Sequence, residues 1–215
     1  MKFATLRTFQ DLDAGPASEM VYVHSKVLIA DDAVAIVGSA NVNDRSLLGD
    51  RDTELCVVVE DKRTVRDLRL KLLRAHLGME PLPHHAHPNL PHFDRPHHRK
   101  WDDDVDDLAS PRVWQTVLDV IHLNTQLLEA AFDDAPWDDV ATLDDAKRAL
   151  GLSRVSRHVT SPAGSDDWRG QVRAVHNTLS GVKGELNAFP THFLHGETLA
   201  PSLLAKMFVG RRLFQ

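Results

Sequence analysis

The sequence has one cysteine, Cys56, in 215 residues. A disulfide framework within the chain is therefore excluded. No run of 18 apolar residues occurs, so no transmembrane helix is expected. Residues 1–15 lack an apolar stretch followed by a small-residue cleavage site, so no secretory signal is read and a reducing cytoplasm is the expected compartment. There is no basic surplus. Lys and Arg number 25 against 31 Asp and Glu, a net charge of -6. That balance makes nucleic acid an unlikely general partner, since a nucleic-acid coat needs positive charge. It leaves room for a local cationic pocket. What is present is ordinary for a soluble globular chain of one or two domains: 42% hydrophobic and 26% charged residues. The 13 histidines are the unusual feature.

The organisation reads as four zones without an internal repeat. Residues 1–60 are strand-like. Val21–Ile29 is β-branched and aromatic, Asp31-Asp32 signals a turn, and Val34–Ser39 is a second strand, so a hairpin is expected. Asn41–Gly49 is loop or short helix, and Thr53–Val59 is a third strand apolar enough for a sheet interior, with Cys56 as a core residue. Residues 61–79 form an amphipathic helix that Asp61 caps and Gly78 stops, with Val65, Leu68, Leu72 and Leu73 on one face and arginines and lysines around the rest. From Pro81 to His98 there are six histidines and five prolines, and Asp102–Asp107 holds five aspartates. That zone is read as an exposed loop rather than a Zn or Ni chelate built on His84, His85, His87, His92, His97 and His98. Helical periodicity returns over Arg112–Phe132, from a Thr142 cap to Leu150, and over Val172–Leu179, and Pro190–Leu194 with Leu199–Phe208 reads as a packed C-terminal segment. Trp101, Trp114, Trp137 and Trp168 are read as packing residues.

The chemistry sits in His24-Ser25-Lys26, Asp31 and Gly38-Ser39-Ala40-Asn41. On a strand, His24 and Lys26 share a face because side chains alternate. The hairpin partner returns Ser39 and Asn41 to the same end. An imidazole, an ammonium, a hydroxyl and a carboxamide around one point suit a phosphodiester. Lysine offsets charge on a non-bridging oxygen, and serine and asparagine add neutral donors. Histidine serves as nucleophile or general acid/base. No metal or other cofactor is called for where two such lysines meet on one phosphate. Asp31, at the turn, is structural, because a carboxylate there would repel the substrate.

The segment His24–Ser46, HSKVLIADDAVAIVGSANVNDRS, resembles the HKD motif of the phospholipase D superfamily, with every signature residue at the family spacing. Arg51-Asp52-Thr53-Glu54 extends the likeness to the second, C-terminal HKD motif of phosphatidylcholine-type enzymes. Leu68–Gly78, Asn124-Thr125, Phe132, Asp138–Lys147, Val182–Leu186, Phe189-Pro190, His192–Leu194 and Leu199–Ser202 are similar to the family's later regions. The resemblance implies an α/β fold: a mixed sheet flanked by helices over 1–79, a His/Pro- and Asp-rich loop over 80–107, and a mainly helical C-terminal extension over 108–215. It implies hydrolysis of glycerophospholipids to phosphatidic acid and a head-group alcohol, with transphosphatidylation from the same phosphohistidine intermediate. It places His24 as acid/base, Lys26, Ser39 and Asn41 on the phosphate, Gly38 and Asp31 in the motif's frame, and Glu54 behind a catalytic histidine at Nδ1. Membrane contact would be peripheral.

The family uses two HKD motifs on one phosphate, and this sequence holds one. His98-Arg99-Lys100 has no Gly-Ser-x-Asn after it. The chain is therefore expected to be the C-terminal portion of a longer enzyme, with the second half supplied by a missing N-terminal part or another subunit. The rival expectations are a homodimeric single-motif phosphodiesterase or nuclease, and an inactive fragment or interaction module.

Overall fold

A computed structural model describes residues 2–12, 15–79, 107, 110–132, 138, 140–149 and 168–198. The histidine/proline tract, Trp101, Trp137, the Trp168 side chain and the 199–208 segment lie outside these described residues. Among them no helix is long and apolar enough to cross a membrane.

The class is α/β. Two antiparallel three-stranded sheets are flanked by helices, where the expectation was one mixed sheet. Strands β1 (Ala4–Leu12), β2 (Gly15–Met20) and β6 (Leu186–Ala188) form the first, in the order β2-β1-β6. Strands β3 (Lys26–Ala30), β4 (Val34–Gly38) and β5 (Cys56–Val59) form the second, with β4 central. A short helix α1 (Asp44–Leu47) lies between β4 and β5, and α2 (Lys62–His76) follows β5. Then come α3 (Pro111–Ala131), α4 (Leu143–Ala149) and α5 (Trp168–Leu179). Two compact units result: 1–132 with 157–189, and 133–156 with 190–215.

The local chemistry explains the elements. Asp61 accepts the Thr64 amide and so caps α2, and Gly78 ends it at a φ of 72° that only glycine adopts without strain. A built Cβ at Gly78 would sit 2.4 Å from the Gly184 amide nitrogen, so two glycine turns cross where a side chain has no room. On α3, Val113, Val117, Val120, Asn124, Leu128 and Ala131 are all buried at helical spacing. Val113, Val117 and Val120 meet Leu70 of α2 and Leu77 and Met79 just beyond it in one apolar cluster. Each such side chain contributes about 1.5–3 kcal/mol when fully buried. Thr142 and Asp145 cap α4 reciprocally: the Thr142 amide donates to the Asp145 carboxylate, and the Asp145 amide to the Thr142 hydroxyl.

The strand expected over Val21–Ile29 begins only at Lys26. Residues 15–20 belong to the other sheet, and the chain crosses between sheets over 21–25, the Val21 amide still donating to the Leu6 carbonyl. Cys56 is exposed rather than buried, and β5 is an edge strand rather than an interior one. The reason is what covers the sheet. Helix α2 lies against β4, where Ala35 is 1% exposed, but the cross-strand row Leu28–Ile36–Val58 on the opposite face stays open at 53, 36 and 54% exposure. Trp114, expected to pack, is also exposed.

Asn124 joins α3 to the segment entering β6. Its amide nitrogen donates to the Lys183 carbonyl at 2.7 Å and the Leu186 carbonyl at 2.8 Å, and its oxygen accepts the Lys183 amide at 2.8 Å. Asn124→Ala removes a partner from three backbone groups around a fully buried side chain. The expected loss is about 3 kcal/mol in denaturant unfolding.

His76, at the end of α2, is half-buried, and its Nδ1 sits 3.9 Å from Glu185 Oε2. Burial lowers its pKa, and Glu185 only partly offsets this. The unfolded chain therefore binds the proton more readily. This residue's contribution to stability is present above its ordinary pKa of about 6.5 and is lost as pH falls below it. His76→Gln is expected to lessen the stability lost between about pH 7 and about pH 5.5 in paired denaturant titrations.

Candidate active site

The β3–β4 hairpin has a closed end and an open end. At the closed end, Asp31 and Asp32 hold φ of 53° and 51°, the mirror-image turn that matches strand twist. Asp32 is tied to α2 by a two-pronged pair with Arg69, Nε to Oδ1 at 2.5 Å and Nη2 to Oδ2 at 2.7 Å. That hydrogen bond lowers the Asp32 pKa against the opposing effect of burial. Asp31 itself is exposed at this turn. The whole of β3, Lys26–Ala30, lies between it and the Lys26 end of the hairpin, four residue steps or about 13 Å.

The open end gathers the remaining motif. Lys26 pairs in register with Gly38, and Gly38 with Cys56. Ser39 follows at once, and Glu54 lies two residues before β5 begins. Gly38 carries no side chain because a Cβ there would meet Cys56 Cβ at 2.6 Å and the Leu55 carbonyl at 2.7 Å. The close approach lets the Ser39 amide donate to the Leu55 carbonyl at 3.0 Å. The Ser39 hydroxyl accepts the Leu55 amide at 3.1 Å and donates to Glu54 Oε2 at 2.5 Å. A hydroxyl has one proton. Ser39 directs it to Glu54, so in this arrangement it is not offered to an anion, as the expected phosphate role requires.

Glu54 is held ionised. Ser39 lowers its pKa most, Ser46 next, and the Lys26 charge adds to them against burial and the Asp52 charge. Ser46 is the buried residue of α1, fixed when its amide donates to the Asn43 side chain at 2.9 Å. Its hydroxyl makes no close hydrogen bond, yet it lies near enough to Glu54 to favour the carboxylate. Arg45 and Asp52 brace the loop between α1 and β5, with Nε 2.7 and 2.9 Å from the two carboxylate oxygens.

His24 is exposed in the crossing segment before β3. Its backbone carbonyl accepts the Lys26 ammonium at 2.7 Å, and its ring stacks with Tyr22 at 6.1 Å between centroids. The shared strand face expected for His24 and Lys26 is thus replaced by a contact from the lysine head to the histidine backbone. Asn41 is exposed in the loop after β4. The structure joins Lys26, Gly38, Ser39 and Glu54 at one sheet end, with His24 and Asn41 on the adjoining loops. Sequence reasoning missed Tyr22, Ser46 and the Arg69–Asp32 pair. The Asp-Asp turn and the basic helix were the only signals for that pair.

A family model described as Phospholipase D matches residues 9–89. The chain is similar to human phospholipase D1, with 31% identity over 222 residues covering 96% of this chain and 18% of the relative. Bovine phospholipase D2 shows 34% identity over 211 residues, covering 94% and 20%. Phospholipase D zeta 1 of Arabidopsis thaliana shows 30% identity over 227 residues, covering 94% and 19%. The chain thus spans 18–20% of the length of these curated relatives.

Ser39→Ala removes the leading cause of the low Glu54 pKa. Side-chain carboxyl NMR across an acid titration is expected to show the Glu54 midpoint rising toward the ordinary value of about 4.3. Ser39→Thr, which keeps the hydroxyl, is expected to leave it low.

Proposed function

We propose, from the match of this chain to the HKD region of the phospholipase D superfamily, that it supplies one half of a phosphodiesterase site acting on glycerophospholipids such as phosphatidylcholine. The products are phosphatidic acid and a head-group alcohol. A histidine of a second HKD motif attacks phosphorus and forms a phosphohistidine as the head-group oxygen departs. His24 protonates that oxygen, then takes a proton from water as it attacks the phosphohistidine. An alcohol in place of water gives transphosphatidylation. Lys26 and Asn41 receive the non-bridging oxygens. Ser39 keeps Glu54 charged, and Glu54 orients a catalytic histidine through Nδ1, as the third member of a triad does.

The observation that carries this reading is the open end of the β3–β4–β5 sheet. There a cation, a clamped carboxylate and an exposed histidine adjoin, within the HKD spacing. The uncovered row Leu28–Ile36–Val58 supports a second lobe from the rest of a longer chain or from another subunit. A peripheral encounter with the lipid surface suits a substrate that lies in a bilayer.

The test is turnover of phosphatidylcholine vesicles with ethanol present, scored as phosphatidylethanol, on the 215-residue chain and on a longer chain that contains it. Product is expected wherever a second motif is supplied, and His24→Ala is expected to lower it by about 10²–10⁴-fold. Undiminished product with His24→Ala would remove this residue from the mechanism.

A further inference from the structure

A second group of titratable side chains lies in the unit formed by 133–156 and 190–215, apart from the HKD residues in sequence. The turn His192–Glu197 is stitched to the stretch 138–143. The His192 amide donates to Asp138 Oδ1 at 2.7 Å, the Leu194 amide to the Val140 carbonyl at 2.7 Å, and the Gly196 amide to the Ala141 carbonyl at 2.9 Å. The Leu143 amide donates to Glu197 Oε1 at 2.8 Å. Leu194, between the two histidines, is held at a φ of 54°.

These bonds decide the chemistry of both imidazoles. His195 Nδ1 lies 2.5 Å from the His192 backbone carbonyl. A carbonyl only accepts, so Nδ1 carries the proton and the neutral ring keeps its lone pair on Nε2. His192 Nδ1 lies 3.2 Å from the Thr191 hydroxyl and 3.6 Å from Asp138 Oδ2. The carboxylate favours the same tautomer there. Both rings are exposed and stand edge to face, with centroids 5.7 Å apart. A metal about 2.1 Å from an imidazole nitrogen lies about 3.2 Å from that ring's centre. Two rings can therefore share one ion only if their centres are within about 6.4 Å, and this pair is.

We propose that His192 and His195 form a two-histidine chelate for a first-row divalent ion of the Zn²⁺ class, bound through both Nε2 atoms. The His192 carbonyl, which accepts from His195 Nδ1, and Asp138, which accepts the His192 backbone amide and holds its charge 3.6 Å from the His192 ring, orient the two ligating histidines. Among the described residues no third His, Cys, Asp or Glu completes a ligand cluster, so water fills the remaining positions. Imidazole nitrogens select Zn²⁺, Ni²⁺ or Cu²⁺ over the oxygen-seeking Mg²⁺ and Ca²⁺. Bound metal would brace the turn that carries both ligands.

The test is a ZnCl₂ titration of the full chain labelled with ¹⁵N-histidine, read by two-bond ring correlations that resolve each nitrogen. Ring signals are assigned from His192→Ala and His195→Ala. The histidines of 84–98 report in the same spectra as an internal comparison. The expected result is that the Nε2 signals of His192 and His195 move together with one midpoint. Each single substitution is expected to raise the other ring's midpoint by more than about tenfold, and Asp138→Asn to raise both by about tenfold. MgCl₂ is expected to move neither. Separate midpoints in the wild-type chain would overturn the proposal without any variant. So would a His195 response unchanged by His192→Ala, or silence of both rings while the other histidines saturate.

Discussion

Where Gly38 passes Cys56, β4 and β5 come close enough that even a methyl group would fall 2.6 Å from the Cys56 Cβ. The remainder of the candidate site hangs on this contact. It sets the Ser39 amide on the Leu55 carbonyl and lets one serine hydroxyl serve both the Leu55 amide and Glu54. It also fixes Lys26, the register partner of Gly38, at the same sheet end. A wider spacing would part Ser39 from Glu54 and take that carboxylate away from the sheet end that carries Lys26. The glycine of the motif is thus explained by strand spacing, with no appeal to a special backbone angle.

Each of the two sheets has its own polar tie. Arg69 reaches from α2 to Asp32, so the closed end of the hairpin is pinned by a charge-assisted pair. Asn124 reaches from α3 to Lys183 and Leu186, so the short β6 finds β1. Both are polar contacts supporting apolar ones, and both rest on partners far apart in sequence. The β3–β4–β5 sheet is left open on the face that carries Leu28, Ile36 and Val58. Its apolar rows gain their full hydrophobic stabilisation, about 25 cal/mol per Å², only when a further surface covers them.

Much of the architecture was legible from short-range rules. The Asp-Asp turn, the Asp61 cap, the Gly78 stop, the helical run over Arg112–Phe132 and the Thr142 cap each depend on neighbours within a few residues. The structure bears them out. The errors have one cause. Val21–Ile29 reads as one strand because propensity cannot see the chain leave one sheet for another. Cys56 reads as core because apolarity says that a residue prefers cover and cannot say that cover is present. β6, three residues long, is below the length at which alternation carries any signal.

The candidate site divides along the same line. The spacing His24-x-Lys26, Asp31, Gly38-Ser39-x-Asn41 and the later Glu54 stood in the sequence alone, because the motif is a pattern of residue types along one hairpin. So did the absence of a second such motif. Only the tertiary structure decided that the Ser39 proton belongs to Glu54, that Lys26 turns its ammonium onto the His24 carbonyl, and that His192, His195 and Asp138 meet. Each of these is a contact of one atom with another across a gap of about 3 Å. A sequence states which donors and acceptors exist, while the fold's strand spacing and loop paths choose which of them touch.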